Sequence, residues 1–277
     1  MTSHTPRGAS ESPTGPTPAD AAQEIARHGS AVLRDVWAPE DLRRLREAIV
    51  GFSERRAQLV AEGLADPLMQ RYHEAGSVVL TWLIFEGRID LDFFAGMFRG
   101  SFYHEVCRRF FDSDRLVMAP ERCGARYLQP PHSARTSLPY HQDSVEQDRR
   151  VQHVMNCWIP LDPGAGVTAP GVEVVRDPGK PRFKLKGMAG GGQGSVYDAV
   201  AIDREDVLAE YGEDQFLAPA FDVGDGFAFS ENVIHRSHVT PAMDQPRIGF
   251  EFRVFSLDHL APWASAEEVE AEAFRLS

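Results

Sequence analysis

The stretch Arg247-Ile248-Gly249-Phe250-Glu251-Phe252-Arg253-Val254-Phe255 alternates between apolar residues and charged or small ones. Strand side chains point to opposite faces with a period of two. One face of this segment therefore carries Ile248, Phe250, Phe252 and Val254, and the other carries Arg247, Gly249, Glu251 and Arg253. The apolar face needs cover, and helices are the expected cover. The polar face is expected to look into a barrel, where a charge is costly to bury without a partner. Glu251 and Arg253 can satisfy each other diagonally or across strands. Arg247 has no evident partner, and a guanidinium fork suits either the carboxylate of a ligand or an acid of the chain such as Asp225.

Outward from this strand, short β-rich runs separated by Pro, Gly and Asp turns lie at 116–119, 124–129, 151–159, 172–176, 216–220, 226–230 and 233–239. The region before them has a helical period. Pro39-Glu40-Asp41 opens a helix with proline early and acids in its first turn, and Leu42, Leu45, Ile49 and Phe52 fall on one face. An earlier helix ends near His28-Gly29, ahead of a strand at Ala31-Val32-Leu33, and a further helix is expected around Asp203 to Tyr211. Helices first and strands afterwards favour an α+β domain with N-terminal helices outside a jelly-roll sheet over alternating βαβ units. The glycine-rich segments fail the phosphate-cradle patterns. Gly190-Gly191-Gly192-Gln193-Gly194 lacks a following Gly-Lys-Ser/Thr and Gly164-Ala165-Gly166 lacks a third glycine, so both are expected to be flexible loops.

Composition bounds the function. The chain of 277 residues is 43% hydrophobic and 25% charged, which is enough apolar material for a large core. A formal charge of −12 opposes a nucleic-acid partner, because contact with a phosphate backbone needs a basic face. The longest apolar run, Val78 to Phe85, is too short for a membrane span, and the first twenty residues lack an apolar signal region. A soluble, cytoplasmic protein acting on a small-molecule substrate is expected, with the oligomeric state left open. Cys107, Cys123 and Cys157 form no C-x-x-C pair and read as buried thiols. Residues 1–17 are Ser, Thr, Pro and Gly with almost nothing apolar, and read as a disordered tail before a single domain over 18–277.

The chemistry is expected at Tyr140-His141-Gln142-Asp143-Ser144, the only H-x-D in the chain. On a strand, His141 and Asp143 present an imidazole and a carboxylate on one face. Two ligands hold a metal poorly, and the candidate for a third lies in Asn232-Val233-Ile234-His235-Arg236-Ser237-His238. Two histidines and one carboxylate on one face leave the opposite positions open, as non-heme Fe(II) oxygenases require. His235 and His238 face opposite ways on a strand. His235 shares its face with Ser237, and His238 is expected at the surface or in a supporting role.

These features together resemble the phytanoyl-CoA dioxygenase family. The resemblance rests on H-Q-D at 141–143, Asn156-Cys157-Trp158-Ile159-Pro160-Leu161, Ala169-Pro170-Gly171-Val172-Glu173, and Gly224-Asp225 before His235 with Arg247 twelve residues on. His28-Gly29-Ser30-Ala31-Val32-Leu33 and the helix at Pro39-Glu40-Asp41-Leu42 also match, so the likeness runs over about residues 20 to 256. It implies a double-stranded β-helix, a cupin-like jelly-roll barrel, that uses Fe(II), 2-oxoglutarate and O2 to hydroxylate a C–H bond of a small organic molecule. It makes His141, Asp143 and His235 the metal ligands and Arg247 with Ser237 the clamp on the distal carboxylate of 2-oxoglutarate. Trp158 would line the cosubstrate pocket, and Gln142 would touch it. Val174-Val175-Arg176-Asp177-Pro178-Gly179 stands where the family often has Pro-Gly-Ser-His, and no substrate is carried over.

Segments expected to border the substrate are Met69 to Phe85, Pro130 to Pro139 and Lys180 to Ser195; in the middle one His132 and Arg135 read as residues of a solvent-exposed loop, the alternative being contact with a polar or anionic substrate group. Two rival readings are a metal-dependent barrel lyase or isomerase, which needs no clamp at Arg247, and a non-catalytic binding barrel, which needs no intact triad.

Overall fold

The computed structural model describes residues 16–131, 137–143, 150–177 and 201–276. Most of the expected tail, His132 and Arg135 with their two readings, and the Lys180 to Ser195 stretch with its glycine run lie outside them. The elements in chain order are α1 (Pro18–His28), β1 (Ser30–Leu33), α2 (Pro39–Ala61), α3 (Pro67–Glu74), β2 (Ser77–Val79), α4 (Leu80–Phe85), α5 (Leu91–Phe98) and α6 (Phe102–Phe111). There follow β3 (Leu116–Met118), β4 (Gly124–Leu128), β5 (Met155–Pro160), β6 (Gly171–Val175), α7 (Arg204–Glu210) and β7 (Phe216–Leu217). The chain closes with β8 (Gly226–Ser230), β9 (His235–His238), β10 (Arg247–Ser256), α8 (Ala266–Glu272) and β11 (Phe274–Arg275).

Local sequence explains where the helices start. Thr17, Asp66, Asp90 and Ser101 each accept a hydrogen bond from a backbone N–H three residues on, satisfying donors that the first helical turn leaves orphaned. Proline opens α1, α2 and α3. Thr17, read as tail, is thus the cap of α1. The apolar run at 78–85 divides into β2 and α4, a distinction that periodicity cannot make over so few residues. Val78 and Val79 pair with Ala125 and Gly124 of β4, and the Leu80 N–H reaches the Cys123 carbonyl as the helix begins.

The architecture is an α+β jelly roll. One sheet runs β1-β8-β5-β10 and continues past β10, whose first half pairs with β4 and whose last residues pair with β3; β2 extends β4 and β11 extends β3. A second sheet has the order β7-β6-β9, and all strand pairs in both sheets are antiparallel. Alternation sorts the large sheet into two faces. Ala31, Leu33, Met155, Cys157, Ile159, Ala228 and the apolar row of β10 pack under α1, α2, α5 and α6. Trp158, Phe227 and Phe229 point the other way and meet Val172, Val174, Phe221 and Val233 in a separate core between the sheets. Phe252 stacks on Phe94 at 4.6 Å between centroids and on Trp37 at 5.1 Å, so the helical layer is seated on this strand.

Some expectations change. The strand expected from 151 starts at Met155, and Val151 forms an isolated bridge to Leu260 ahead of it. The run expected at 216–220 is strand only at Phe216–Leu217. Gly164-Ala165-Gly166 is a tight turn and not a flexible loop: both glycines have positive φ, Ala165 is fully buried, and a Cβ on Gly166 would meet the Pro219 carbonyl oxygen at 2.3 Å. The three cysteines are buried thiols as expected, and burial pushes Cys123 up to about 12 and the other two higher still. No helix among the described residues is long and apolar enough to cross a membrane.

Phe252 is fully buried between the sheet and the helices. Phe252→Ala should lower unfolding stability by about 3–5 kcal/mol, from lost transfer energy and the cavity left behind. Urea denaturation followed by circular dichroism checks this, and a loss under about 1 kcal/mol would show that the helical layer is held elsewhere.

Candidate metal centre and its cleft

His141 and His235 face each other across reciprocal backbone hydrogen bonds of 3.0 Å, which attach the H-Q-D segment to the edge of β9. His141 makes a bridge and no longer strand, and Asp143 already lies in the turn that follows. The three side chains nevertheless converge, with candidate ligand atoms all within 4.8 Å of one another. Asp143 Oδ1 lies 3.9 Å from His141 Nε2, and Asp143 Oδ2 lies 3.7 Å from His235 Nε2. The far ring nitrogens are both pinned to carbonyls, His141 Nδ1 to Pro139 at 2.8 Å and His235 Nδ1 to Val233 at 3.0 Å. A carbonyl only accepts, so each Nδ1 carries the proton and each Nε2 turns a lone pair toward the centre.

The electrostatics agree. Burial pushes His141 down to about 4, with His235 acting in the same direction, and burial also lowers His235. Burial alone would raise Asp143, but Arg253 and the two imidazoles hold it below the usual carboxylate range. Its Oδ1 accepts from Arg253 at 3.0 Å and its Oδ2 from Asn156 Nδ2 at 2.8 Å. Two neutral imidazoles and one carboxylate with a preset orientation fit a divalent transition metal, and they are the metal-ligating cluster among the described residues.

The centre opens into a cleft of about 530 Å³ lined by the polar face of β10. At the end away from Arg253 lies Arg247, 2% exposed. It donates to the Gly171 carbonyl at 3.1 Å and more weakly to that of Pro170 at 3.4 Å, and sits 5.1 Å over the Trp158 ring. Its Nε has no hydrogen-bond partner among the described residues, and burial lowers the guanidinium to about 9. The acid expected as its alternative partner, Asp225, is held instead by Arg34 at 2.6 Å and by the backbone N–H groups of Asp35 and Asp222. Gly249 makes room for the indole, since a Cβ there would lie 2.4 Å from Trp158 Nε1. Trp158 and Ser237 line the cleft, and Ser237 Oγ accepts from the Leu138 N–H at 2.9 Å. Gln142 turns elsewhere. Its amide donates to the Asn232 carbonyl at 2.5 Å and it is not among the lining residues, so it braces the loop before β9 where the resemblance sets it against a cosubstrate.

Two functional neighbours escaped the sequence reading. Asn156 shares the inward face of β5 with Trp158, so the period of two from Trp158 could have found it. Arg253, assigned there to Glu251 alone, reaches both Glu251 at 3.4 Å and Asp143. Arg71 and Tyr72 of α3 and Ser77, Val78 and Val79 of β2 form part of the wall, so of the expected border segment at 69–85 the part from 71 to 79 reaches the cleft, and α4 is not among its lining residues.

His238 points to the opposite face of β9 with Arg236, toward Glu173 of β6. Glu173 accepts from Arg236 at 2.7 and 3.1 Å and from the Tyr140 hydroxyl, and His238 Nδ1 lies 3.5 Å away. Burial alone would raise this carboxyl, but His238 beside it and the bonds from Arg236 and Tyr140 hold it down at about 2.

No family model and no curated protein matches the sequence. Solved structures do match in fold. The chain is similar to EvdO2 from Micromonospora carbonacea var. aurantiaca, with TM-score 0.58, 16% identity and coverage of 88% of this chain and 92% of that one. It is similar to EctD from S. alaskensis, solved with 2-oxoglutarate and 5-hydroxyectoine, with TM-score 0.59, 15% identity and coverage of 89% and 79%. A third is SnoK from nogalamycin biosynthesis, described as a non-heme alpha ketoglutarate dependent carbocyclase, with TM-score 0.56, 15% identity and coverage of 88% and 87%. Likeness at this identity establishes the common jelly-roll fold.

The Glu173 brace yields a pH prediction. A carboxyl lowered on folding stabilises the fold above its ordinary range near 4.5 and loses that contribution as pH falls toward about 2. Glu173→Gln should therefore be about 2–3 kcal/mol less stable than the parent at pH 7, with the gap closing between pH 4.5 and 2. A gap independent of pH in acid denaturation would assign the loss to packing.

Proposed function

We propose that the chain is a non-heme iron(II)- and 2-oxoglutarate-dependent oxygenase of the phytanoyl-CoA dioxygenase type that hydroxylates a C–H bond of a small organic molecule. The observation that carries this reading is the joint placement of the His141, Asp143 and His235 donors and of Arg247 within one cleft. The solved relatives in complex with 2-oxoglutarate, and the one described as alpha ketoglutarate dependent, support it. Free buried thiols support a cytoplasmic setting. One domain over residues 18–277 is supported by sheets assembled from strands at both ends of the chain, β1 beside β8 and β11 beside β3.

In this reading His141 and His235 offer Nε2 lone pairs, and Asp143 offers an oxygen whose direction Asn156 and Arg253 set. When bound, the iron supplies the activation of dioxygen that couples decarboxylation of 2-oxoglutarate to substrate oxidation. Arg247 binds the distal carboxylate of 2-oxoglutarate, with Ser237 as a second donor and the Trp158 ring as the wall. The guanidinium is shielded from water and meets only carbonyl oxygens and that ring among the described residues, so an incoming carboxylate gains charge-assisted bonds that solvent does not weaken.

His141→Ala, Asp143→Ala and His235→Ala should each abolish succinate release from 2-oxoglutarate and the visible band of the anaerobic Fe(II)/2-oxoglutarate complex, with far-ultraviolet dichroism retained. His238→Ala should keep most activity. Loss in His238→Ala with full activity in His235→Ala would reverse the assignment.

Arg247→Lys should raise the KM for 2-oxoglutarate about tenfold or more, since a charge-assisted bond is worth about 1.5–3 kcal/mol. The burial that lowers Arg247 would also push a lysine there toward losing its proton. An unchanged KM would make Arg247 a structural residue.

A further inference from the structure

Glu251 is neither a candidate ligand nor part of the clamp, yet it stands in the cleft. On the inward face of β10 it lies between Gly249, whose missing side chain leaves room for the Trp158 indole, and Arg253, which holds Asp143. A carboxylate offers about four lone-pair positions. Among the described residues one bond reaches those of Glu251, from Arg253 at 3.4 Å, which is long for an N–H donor. The shorter contact of that same guanidinium, 3.0 Å, goes to Asp143. The Glu251 side chain is 26% exposed, so its oxygens are open to whatever enters the cleft.

The neighbours of Glu251 explain why it is left open. Its partners in register are Gly124 of β4 and Trp158 of β5. Gly124 also lines the cleft and has no side chain to offer, and a Cβ there would lie 2.6 Å from the Val78 carbonyl oxygen. The indole of Trp158 leans the other way, toward Gly249 and Arg247. A recessed carboxylate with unfilled acceptor positions has lost hydration that the protein does not replace, so a ligand that donates there restores it. About 7 Å of strand separates Glu251 from Arg253, and Asp143 lies against Arg253. A small molecule beside the metal centre can therefore span to Glu251.

We propose that Glu251 selects the organic substrate by accepting a hydrogen bond from its hydroxyl group, with the apolar body of that substrate lying along Leu68, Val78 and Val79. This rests on the oxygenase reading and names its substrate class, a neutral alcohol. A carboxylate on the substrate would meet Glu251 as a like charge. An ammonium would meet Arg247 and Arg253 on the same face of β10, and the charge of Glu251 already faces Arg253. What the acid lacks is a hydrogen-bond donor, and a hydroxyl supplies one without bringing a further charge into a shielded cleft.

The test uses the full chain loaded anaerobically with Fe(II) and 2-oxoglutarate. The probes are two isomers, hexanol and pentyl methyl ether, of which only the alcohol can donate, together with hexylammonium. Each is titrated by saturation-transfer NMR at constant ionic strength. The alcohol should bind about fivefold tighter or more than the ether and the ammonium, the worth of one recessed hydrogen bond. Glu251→Leu should bring alcohol and ether within about twofold of each other. Glu251→Gln, whose amide can donate to an ether oxygen, should bind the ether more tightly than the parent does, an effect that loss of a structural contact would not produce. Equal binding of the two isomers by the parent, no binding of either, tighter binding of hexylammonium, or an alcohol preference that survives in both variants would overturn the proposal. A loss of 2-oxoglutarate affinity in Glu251→Gln would also overturn it, by making Glu251 a brace for the centre. The loading step is read separately: a parent chain with no Fe(II)/2-oxoglutarate band sinks the oxygenase reading, and the same titrations of the unloaded chain still decide the acceptor site.

Discussion

Strand β10 is covered on both faces, and the two faces make incompatible demands. Ile248, Phe250, Phe252 and Val254 have to lie against something dry, which α2, α5 and α6 supply. Arg247, Glu251 and Arg253 have to lie where charge can be answered, which requires a second sheet far enough away to leave a cleft and close enough to bring Asp143 to Arg253. A one-residue slip of this strand would put three charges under the helices and four apolar side chains into the cleft. Register is held on both sides, by β5 from Gly249 to Val254 and by β4 and β3 in turn.

The Asp143 to Arg253 contact also joins the sheets. Asp143 follows His141, which is bonded to β9 of the small sheet, whereas Arg253 and Asn156 belong to the large one. The candidate ligands thus come from the small sheet and the partners that orient Asp143 from the large one, and the geometry of the centre depends on how the layers sit together. Cross-linking by a buried ion pair contributes little net stability after desolvation, but it fixes the distance between the layers where the chemistry needs it fixed.

What could be read from the chain follows from how local each feature is. The alternation of β10 and the face of α2 at Leu42, Leu45, Ile49 and Phe52 are short-range patterns, and both stand in the structure as written. So do the convergence of His141, Asp143 and His235 and the outward turn of His238, because the period of two decides which histidine of a strand can join a partner. The helices from Pro67 to Phe111 were not legible beyond an apolar run, since segments of six to ten residues give too few turns to reveal a period. Three-dimensional partners were the least legible. Nothing near Arg253 in sequence announces Asp143, and nothing near Asp225 announces Arg34, at separations of 110 and 191 residues. Gln142 shows the converse, because a residue between two converging side chains is turned away from them by the backbone itself.

The thiols carry a further consequence. Cys123 lies beneath β10, where its sulfur accepts a hydrogen bond from the Arg253 N–H at 3.3 Å, so it sits within one strand of the candidate metal centre. Sulfur is attacked by oxidants chiefly as thiolate. With Cys123 pushed up to about 12 by burial and the other two thiols also raised, almost none of the reactive form exists at neutral pH, and none of the three is exposed. Packing of the sheet interior thus keeps all three thiols out of solvent and in the protonated form that oxidants attack slowly.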